Sequence, residues 1–306
     1  MPLLMVFIDG LGLGSSDPET NPLIRAKMDF FREKLSGQPL IADTVREKYV
    51  NREFRCLPVD ASMGVKGLPQ SATGQTALLT GINGAEVCGK HIHGFPTKVL
   101  REIINEHSLF KVLKKCQKKA VFANTFTKEY FESVASGKWR HSVTTTAALA
   151  GDIKLKMVPD LLQGEAVYQD ITNEMLRERG YDVPLVEPEE AALALVNVAV
   201  KNDYTLFEYF QTDRCGHKQD WDLAMTLLNR LDRFLGTIAQ KLDQTNLDLL
   251  VISDHGNVED LSVKTHTLQP VPLIAIGQRS SLFAKVTTLP QVYPAILQFV
   301  NDDTQI

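Results

Sequence analysis

The chain has 306 residues, of which 44% are hydrophobic, 23% charged and 8% aromatic. These proportions are those of a globular protein and exclude collagen, coiled coils and disordered chains. The 33 basic and 37 acidic residues give a net charge of −4, which argues against a nucleic-acid-binding surface, because such surfaces carry a basic excess.

Short apolar runs alternate with segments of helical periodicity along the chain. The apolar runs predict buried strands at Leu3–Ile8, Ala120–Phe126, Thr205–Phe210, Leu247–Ile252 and Val271–Ile276. The periodic segments predict helices at Ser108–Lys118, Glu165–Arg179, Glu187–Lys201 and Asp220–Gln244. This alternation predicts an α/β protein with a largely parallel central sheet and helices on both of its faces.

The chain shows no repeat and no linker that would divide it. We therefore expect residues 1–306 to form one catalytic domain, with at most a small lid within residues 98–203. The apolar run at the N-terminus is short and lacks a basic leader, and no stretch reaches the ~20 apolar residues that cross a bilayer. The four cysteines are widely spaced, so we expect free thiols, a cytoplasmic location and no membrane partner.

Acidic residues and histidines are concentrated in the loops that adjoin the predicted strands. These candidate ligands are Asp9, Asp213, His217, Asp254, His255 and His266. Because strand ends in one sheet meet along one edge, we expect the six side chains to lie close together. Mixed carboxylate and imidazole ligands suit Mn²⁺ or Zn²⁺, and six ligands are enough for two ions.

Each of these residues alone has an ordinary explanation. An aspartate after a strand usually caps a turn or helix, and a histidine in a loop is usually solvated. The spacing favours metal binding instead: Asp213 and His217 are four residues apart, and Asp254 and His255 are adjacent in a turn.

Ser71 is the candidate nucleophile. It follows a loop containing Gly67 and Pro69 and is predicted to cap a helix over Thr73–Leu79. A helix N-terminus attracts anions, and a nearby metal ion would activate the weakly nucleophilic hydroxyl. The alternative is that Ser71 serves only as a helix cap.

A few further residues are candidates for binding the substrate. Lys90, His91 and His93, in CGKHIHG, would contact a phosphate or organise the entrance of the site, unless they are structural. Trp139 and Arg140 would form part of a substrate wall, since arginine binds phosphate well, although a solvated arginine is the simpler explanation.

Five motifs occur in a distinctive order: FIDGLG, SATGQTALLTG, DRCGH, SDHGN and THTLQPVP. Together they resemble the alkaline phosphatase superfamily of two-metal enzymes, and most closely its branch of cofactor-independent phosphoglycerate mutases and phosphopentomutases. The resemblance covers residues 2–97 and 204–278 and implies a three-layer α/β/α sandwich.

The resemblance also assigns roles. It implies one metal site formed by Asp9, Asp254 and His255, next to a nucleophile at Ser71. It implies a second metal site in which the ligands are Asp213, His217 and His266. The mutases carry a histidine where this chain has Gln75, which we take as a candidate substrate contact.

The mutases also contain a large inserted cap domain. In this chain the corresponding segment, residues 98–203, is short, and its pattern predicts helices and strands that belong to the core. We therefore expect hydrolysis of a small phosphorylated substrate through a phosphoserine, because a mutase must shield its phosphoenzyme from water. The alternatives are a phosphomutase and a non-catalytic metal-binding relative. The sequence is silent on substrate identity and oligomeric state.

Overall fold

The computed structural model describes residues 1–45, 49–50 and 53–301. Its strands are β1 (Leu3–Ile8), β2 (Tyr49–Val50), β3 (Phe54–Val59), β4 (Ala120–Phe122), β5 (Thr125–Phe126), β6 (Lys156–Met157), β7 (Tyr204–Tyr209), β8 (Asp248–Ser253) and β9 (Val271–Ile276). Within the described residues, seven strands form one sheet in the order β2-β3-β9-β8-β1-β7-β4, and β5 pairs with β6 in a small second sheet.

The large sheet is mixed but mostly parallel. Strands β1, β4, β7 and β8 run parallel, whereas β9 runs antiparallel to both of its neighbours, β8 and β3, and β2 is antiparallel to β3. The reversal of β9 places its first residue at the edge of the sheet where β1, β7 and β8 end.

Helices cover both faces of this sheet. They are α1 (Pro22–Arg25), α2 (Asp29–Lys34), α3 (Ala42–Val45), α4 (Ser71–Thr80), α5 (Gly84–Cys88), α6 (Lys98–His107), α7 (Leu109–Lys115), α8 (Lys128–Ala135), α9 (Val143–Ala150), α10 (Val158–Leu162), α11 (Glu174–Glu178), α12 (Pro188–Ala199), α13 (Gln211–Lys218), α14 (Trp221–Thr245) and α15 (Val292–Asn301). In the described part of the chain, no helix combines the length and the apolar character needed to span a bilayer.

Side chains of β1 alternate between two hydrophobic clusters. Val6 and Ile8 pack into the cluster that contains α12 and α14, whereas Met5 and Phe7 pack into the cluster that contains α4, α6 and α9. Successive residues of a strand point to opposite faces, so the sheet is buried on both sides. The predicted α/β fold, with helices on both faces of a largely parallel sheet, is confirmed.

The predicted strand Ala120–Phe126 is wrong as a single element, because it divides into β4 and β5. The side chain of Asn124 causes the break: its Nδ2 donates to the Glu208 carbonyl and its Oδ1 accepts from the Glu208 N–H, each at 2.8 Å. At the end of β4, these two side-chain hydrogen bonds replace the backbone hydrogen bonds that would continue the pairing with β7. The chain then leaves the large sheet.

The predicted helix Glu165–Arg179 is also wrong over most of its length, since only Glu174–Glu178 is helical. The Asp170 carboxylate accepts hydrogen bonds from the N–H groups of Asn173 and Met175, at 2.9 and 2.7 Å. Asn173 takes a positive φ of 66° there. A side-chain acceptor that binds local N–H groups favours a turn over a continuous helix.

The sequence pattern did not predict β3, which contains Pro58. This strand lies beside β9, and Pro58 stands directly opposite Pro272. In an antiparallel pair, alternate positions exchange no backbone hydrogen bonds, so two prolines fit there without loss of a donor.

Candidate metal and catalytic site

The structure brings all six candidate metal ligands to the carboxyl edge of the large sheet. They are Asp9 after β1, Asp213 and His217 on α13, Asp254 and His255 after β8, and His266 before β9. The reversed direction of β9 explains how a residue that precedes a strand meets residues that follow strands.

The first cluster consists of Asp213, His217 and His266, whose ligand atoms lie within 4.8 Å of one another. The Nε2 atoms of the two histidines are 3.3 Å apart. Each of these Nε2 atoms is also 3.4 Å from a carboxylate oxygen of Asp213.

The hydrogen bonds of the two rings show that this cluster fits a cation. Nδ1 of His217 donates to the Lys264 carbonyl at 2.7 Å, and Nδ1 of His266 donates to the Pro69 carbonyl at 2.8 Å. A carbonyl can only accept, so each neutral ring carries its lone pair on Nε2. Two nitrogen lone pairs and a carboxylate therefore converge, which is the ligand chemistry of a divalent ion held by oriented histidines.

The second cluster contains Asp9, Asp213 and His255, again with ligand atoms within 4.8 Å of one another. Nε2 of His255 lies 3.2 Å from Asp9 Oδ1 and 3.6 Å from Asp254 Oδ2. Asp9 Oδ1 is buried and receives no hydrogen bond, which leaves it available to a cation. Asp213 takes part in both clusters, whereas the resemblance assigned it to one.

Gln75 Nε2 donates to Asp254 Oδ2 at 3.0 Å and so orients that carboxylate.

Electrostatics also favours positive charge in these clusters. Burial by itself raises the pKa of Asp213, but its contact with His266, the charge of His255 and the hydrogen bond from Asn257 hold that pKa well below its ordinary value. Burial opposes protonation of His255, yet the carboxylates of Asp254 and Asp9 raise the pKa of its ring to about 10. Burial raises the pKa of Asp9 and of Asp254. Metal binding at these groups would release protons, because carboxylate and neutral imidazole are the forms that bind a metal ion.

Ser71 differs from its prediction in one respect: it is the first residue of α4, and Gln70 is the N-cap. The Gly74 N–H donates to the Gln70 carbonyl at 2.9 Å, which begins the helix one residue before Ser71. The serine hydroxyl is therefore not used as a cap. Its Oγ instead forms a hydrogen bond of 2.9 Å with Nε2 of His255, inside the second cluster.

Asn257 is a site residue that the sequence pattern did not single out, although it is the last residue of SDHGN. Its Nδ2 donates to the Asp213 carboxylate at 2.7 Å and to the Asp213 carbonyl at 3.1 Å. A Cβ on Gly216 would lie 2.3 Å from Asn257 Oδ1, so the glycine of DRCGH allows Asn257 to reach the shared ligand.

Glu259 was also missed, and it connects three of the motif loops. Its buried carboxylate accepts from the N–H groups of Gly12 and Asn257, at 2.9 and 2.7 Å, and from the Thr267 hydroxyl. FIDGLG, SDHGN and THTLQPVP thus share one acceptor. Such a buried acceptor fixes the loops because each unsatisfied donor would cost about 1–3 kcal/mol.

A cavity of about 580 Å³ opens beside Ser71 and Asp9. Its lining also includes Phe126, Tyr130 and Trp139, which we call the aromatic wall. A cavity that combines a few polar reactive groups with apolar rings is typical of a small-molecule site.

The remaining substrate candidates divide between two cavities. Gln75 and Arg140 line the cavity beside Ser71. Lys90 and His91 line a second cavity that borders the first cluster, and His93 lines both cavities. The ring of His91 donates from Nε2 to a loop carbonyl at 3.2 Å, so it supports the loop.

Glu208, near the end of β7, is a further cavity residue that the sequence pattern did not single out. It is 7% exposed, and its Oε2 accepts a hydrogen bond of 2.7 Å from the Thr144 hydroxyl. Burial raises the pKa of Glu208 to about 7. The available signal was a single acid within the apolar run YTLFEYF.

We expect Glu208→Gln to remove a pH dependence of stability. The pKa of Glu208 is higher in the folded protein than in the unfolded chain, so the folded form binds more protons between about pH 4.5 and pH 7. Wild-type stability therefore falls as pH rises through this window, by up to about 3 kcal/mol from this group. The glutamine introduced by this change stays neutral, and its side-chain carbonyl still accepts from Thr144.

The measurement is urea unfolding of both proteins at pH 5 and pH 8, in matched buffers with the same metal content. The variant should gain stability relative to wild type at pH 8. An equal pH dependence of the free energy of unfolding in the two proteins would show that ionisation of Glu208 does not destabilise the folded state.

The family model of the Metalloenzyme superfamily matches residues 1–303. The chain belongs to this superfamily. Its members bind metal ions, which agrees with the two ligand clusters described above.

Curated proteins named as phosphoglycerate mutases are similar to parts of the chain. A 2,3-bisphosphoglycerate-independent phosphoglycerate mutase from Ehrlichia ruminantium is 28% identical over 127 residues, which are 37% of this chain and 25% of that protein. The same enzyme from Pseudomonas putida is 30% identical over 106 residues, or 32% and 21% of the two chains. The match thus spans about a quarter of the length of these relatives.

Two solved structures share the fold of this chain over its whole length. The PH0037 protein from Pyrococcus horikoshii has a TM-score of 0.59 at 14% identity, covering 100% of this chain and 98% of that one. Alkaline phosphatase from the Antarctic bacterium TAB5 has a TM-score of 0.54 at 13% identity and 99% coverage of both chains. Together, the family-model match, the curated relatives and this shared fold confirm the resemblance to the alkaline phosphatase superfamily.

Proposed function

We propose that the protein is a metal-dependent phosphohydrolase that cleaves a phosphate ester through a phosphoserine at Ser71. The observation that carries this proposal is the position of the Ser71 hydroxyl, 2.9 Å from His255 Nε2 and at the first residue of α4. The nucleophile thus adjoins the second cluster, at a helix end whose free N–H groups favour an anion.

In this reaction Ser71 Oγ forms a bond to phosphorus while the bond from phosphorus to the ester oxygen breaks. The serine proton is transferred to water, and the ester oxygen takes up a proton from water and leaves as an alcohol. The N–H groups in the first turn of α4 would bind the phosphoryl oxygens and stabilise their negative charge during the transfer. A water molecule then attacks the phosphoserine, releases inorganic phosphate and restores the serine hydroxyl.

We propose that the two clusters, which have Asp213 in common, would hold two divalent ions, Mn²⁺ or Zn²⁺. When bound, such ions supply positive charge that favours serine ionisation and stabilises phosphoryl oxygens. Gln75 and Asn257 orient the carboxylates of Asp254 and Asp213. We further propose a cytoplasmic location and a small phosphorylated substrate, without a nucleic-acid or membrane partner. The four free cysteines support the location.

We favour hydrolysis over a mutase reaction, in which the phosphoserine returns its phosphoryl group to the substrate, because of the arrangement of residues 98–203. Strand β4 pairs with β7 in the large sheet, and α6 and α9 pack against α4, so these elements extend the catalytic unit. The small sheet of β5 and β6, with α8, forms at most a small lid. An open site admits water to the phosphoserine. The similarity to phosphoglycerate mutases makes a phosphomutase the second candidate.

The test is to incubate the metal-loaded enzyme with phosphorylated sugars, nucleotides and glycerates while following inorganic phosphate and isomers together. We expect phosphate release without isomers. Isomers formed without phosphate would establish the mutase. No turnover of any monoester or diester, with either ion bound, would favour a non-catalytic relative.

A further inference from the structure

The aromatic wall is a connected group of rings in the lid region. The ring centroids of Phe126 and Tyr130 are 5.0 Å apart, and those of Tyr130 and Trp139 are 6.1 Å apart in an edge-to-face arrangement. The Tyr130 hydroxyl forms a hydrogen bond of 2.8 Å with Nδ1 of His141. Burial lowers the pKa of His141, which favours the neutral form of this ring. The wall is therefore held in place before any ligand arrives.

Part of this apolar surface faces solvent. Within the described residues, the exposed large hydrophobic side chains include two aromatic ones, Phe95 at 49% and Trp139 at 47% exposure, and both line the cavity beside Ser71. Exposed apolar surface gathered in one concave site marks a binding surface. A planar apolar group would cover these rings.

Charged side chains around the cavity indicate which classes of ligand the aromatic wall can bind. Arg140, Arg179 and Arg214 also line it, and they disfavour a quaternary ammonium group, which aromatic rings would otherwise bind. The buried Glu208 supplies a hydrogen-bonding group for hydroxyl or N–H donors. A glycerate or an unsubstituted sugar offers no flat ring to the wall.

We propose that the alcohol portion of the ester is a nucleoside, whose base stacks on the aromatic wall while its 5′-phosphate lies at Ser71. Arginines on the rim suit the anionic nucleotide. This inference rests on the proposed function, since it names the substrate class of the same site. It makes Trp139 a specificity residue with no part in the chemical step.

Adenosine 5′-monophosphate and ribose 5-phosphate give a matched comparison, because they share the sugar and the phosphate and differ only in the base. Stacking of one base on an aromatic side chain corresponds to roughly 5- to 150-fold in affinity. We expect kcat/KM to be at least about 10-fold higher for the nucleotide.

Variants at the wall sharpen the comparison. Trp139→Ala should lower kcat/KM for the nucleotide about 10-fold more than for ribose 5-phosphate, and Trp139→Phe should restore most of the difference. Leu162→Ala truncates another exposed side chain, which lies outside this cavity, and should leave the ratio unchanged. Equal kcat/KM values for the two substrates in wild type would overturn the inference while leaving the hydrolase proposal intact.

A binding measurement keeps the two proposals separate. The chain has two tryptophans, so Trp221→Phe leaves Trp139 as the single fluorophore of its kind in the full-length, metal-loaded protein. In a Ser71→Ala background, adenosine 5′-monophosphate should quench Trp139 fluorescence with saturation, and ribose 5-phosphate should not. Quenching without turnover in the Ser71 protein would refute the hydrolase alone. Turnover without nucleotide-specific quenching would refute the inference alone, and absence of both would refute both.

Discussion

Ser71→Ala should abolish turnover of phosphate esters while leaving the fold and the metal content unchanged. The hydroxyl lies 2.9 Å from His255 Nε2 and is not required as the cap of α4, because Gln70 occupies that position. Loss of a nucleophile lowers kcat on the order of 10³-fold or more. The measurement is initial-rate kinetics, with circular dichroism and metal analysis on the same samples.

Ser281→Ala provides the matched control, since Ser281 is exposed and lies in a 3₁₀ helix outside the site. In wild type, acid quenching during turnover should trap a phosphorylated peptide that contains Ser71, and mass spectrometry should find none in Ser71→Ala. Retention of near wild-type activity by Ser71→Ala would show that water attacks the substrate directly.

Asp213→Asn should weaken both metal sites at once. The pKa of Asp213 is held well below its ordinary value, so the residue is ionised at every working pH, and asparagine removes a full negative charge without changing size. Because its oxygens belong to both ligand clusters, we expect both affinities to fall by more than about 100-fold. Metal analysis after dialysis against a range of free Mn²⁺ or Zn²⁺ measures this.

His217→Asn is the informative comparison, because His217 belongs to the first cluster only. It should reduce the stoichiometry toward one ion per chain, whereas Asp213→Asn should reduce it toward none. If both variants lost a single ion, Asp213 would serve one site, as the resemblance to the alkaline phosphatase superfamily implied. Metal binding should also strengthen as pH rises, because His255, whose pKa is about 10 without metal, must release its proton.

The sequence contained enough information to predict the parts of the site that depend on local pattern. Strands β1, β7, β8 and β9 are six-residue segments of mostly apolar residues, and each ends or begins near an acid or a histidine. Since strand ends of one sheet share an edge, Asp9 and Asp254 could be placed together from the sequence alone.

The parts that could not be predicted depend on partners distant in sequence. Glu259 accepts hydrogen bonds from Gly12 and Thr267, which lie in other loops. Glu208 is distinguished by its burial and by its hydrogen bond with Thr144. The break between β4 and β5 follows from Asn124 bonding to a strand 84 residues away. Shared use of Asp213 is likewise a matter of three-dimensional proximity, which spacing along the chain does not encode.

The reversed strand β9 has a consequence for the order in which the site is built. His266 reaches its partners only when β9 has inserted between β8 and β3, whereas Asp9 directly follows β1. During synthesis, the nascent chain holds an incomplete set of ligands until the segment through β9 has left the ribosome. Complete metal loading would thus mark the finished sheet, and a bound ion would link β1 and β9 into one cooperative unit.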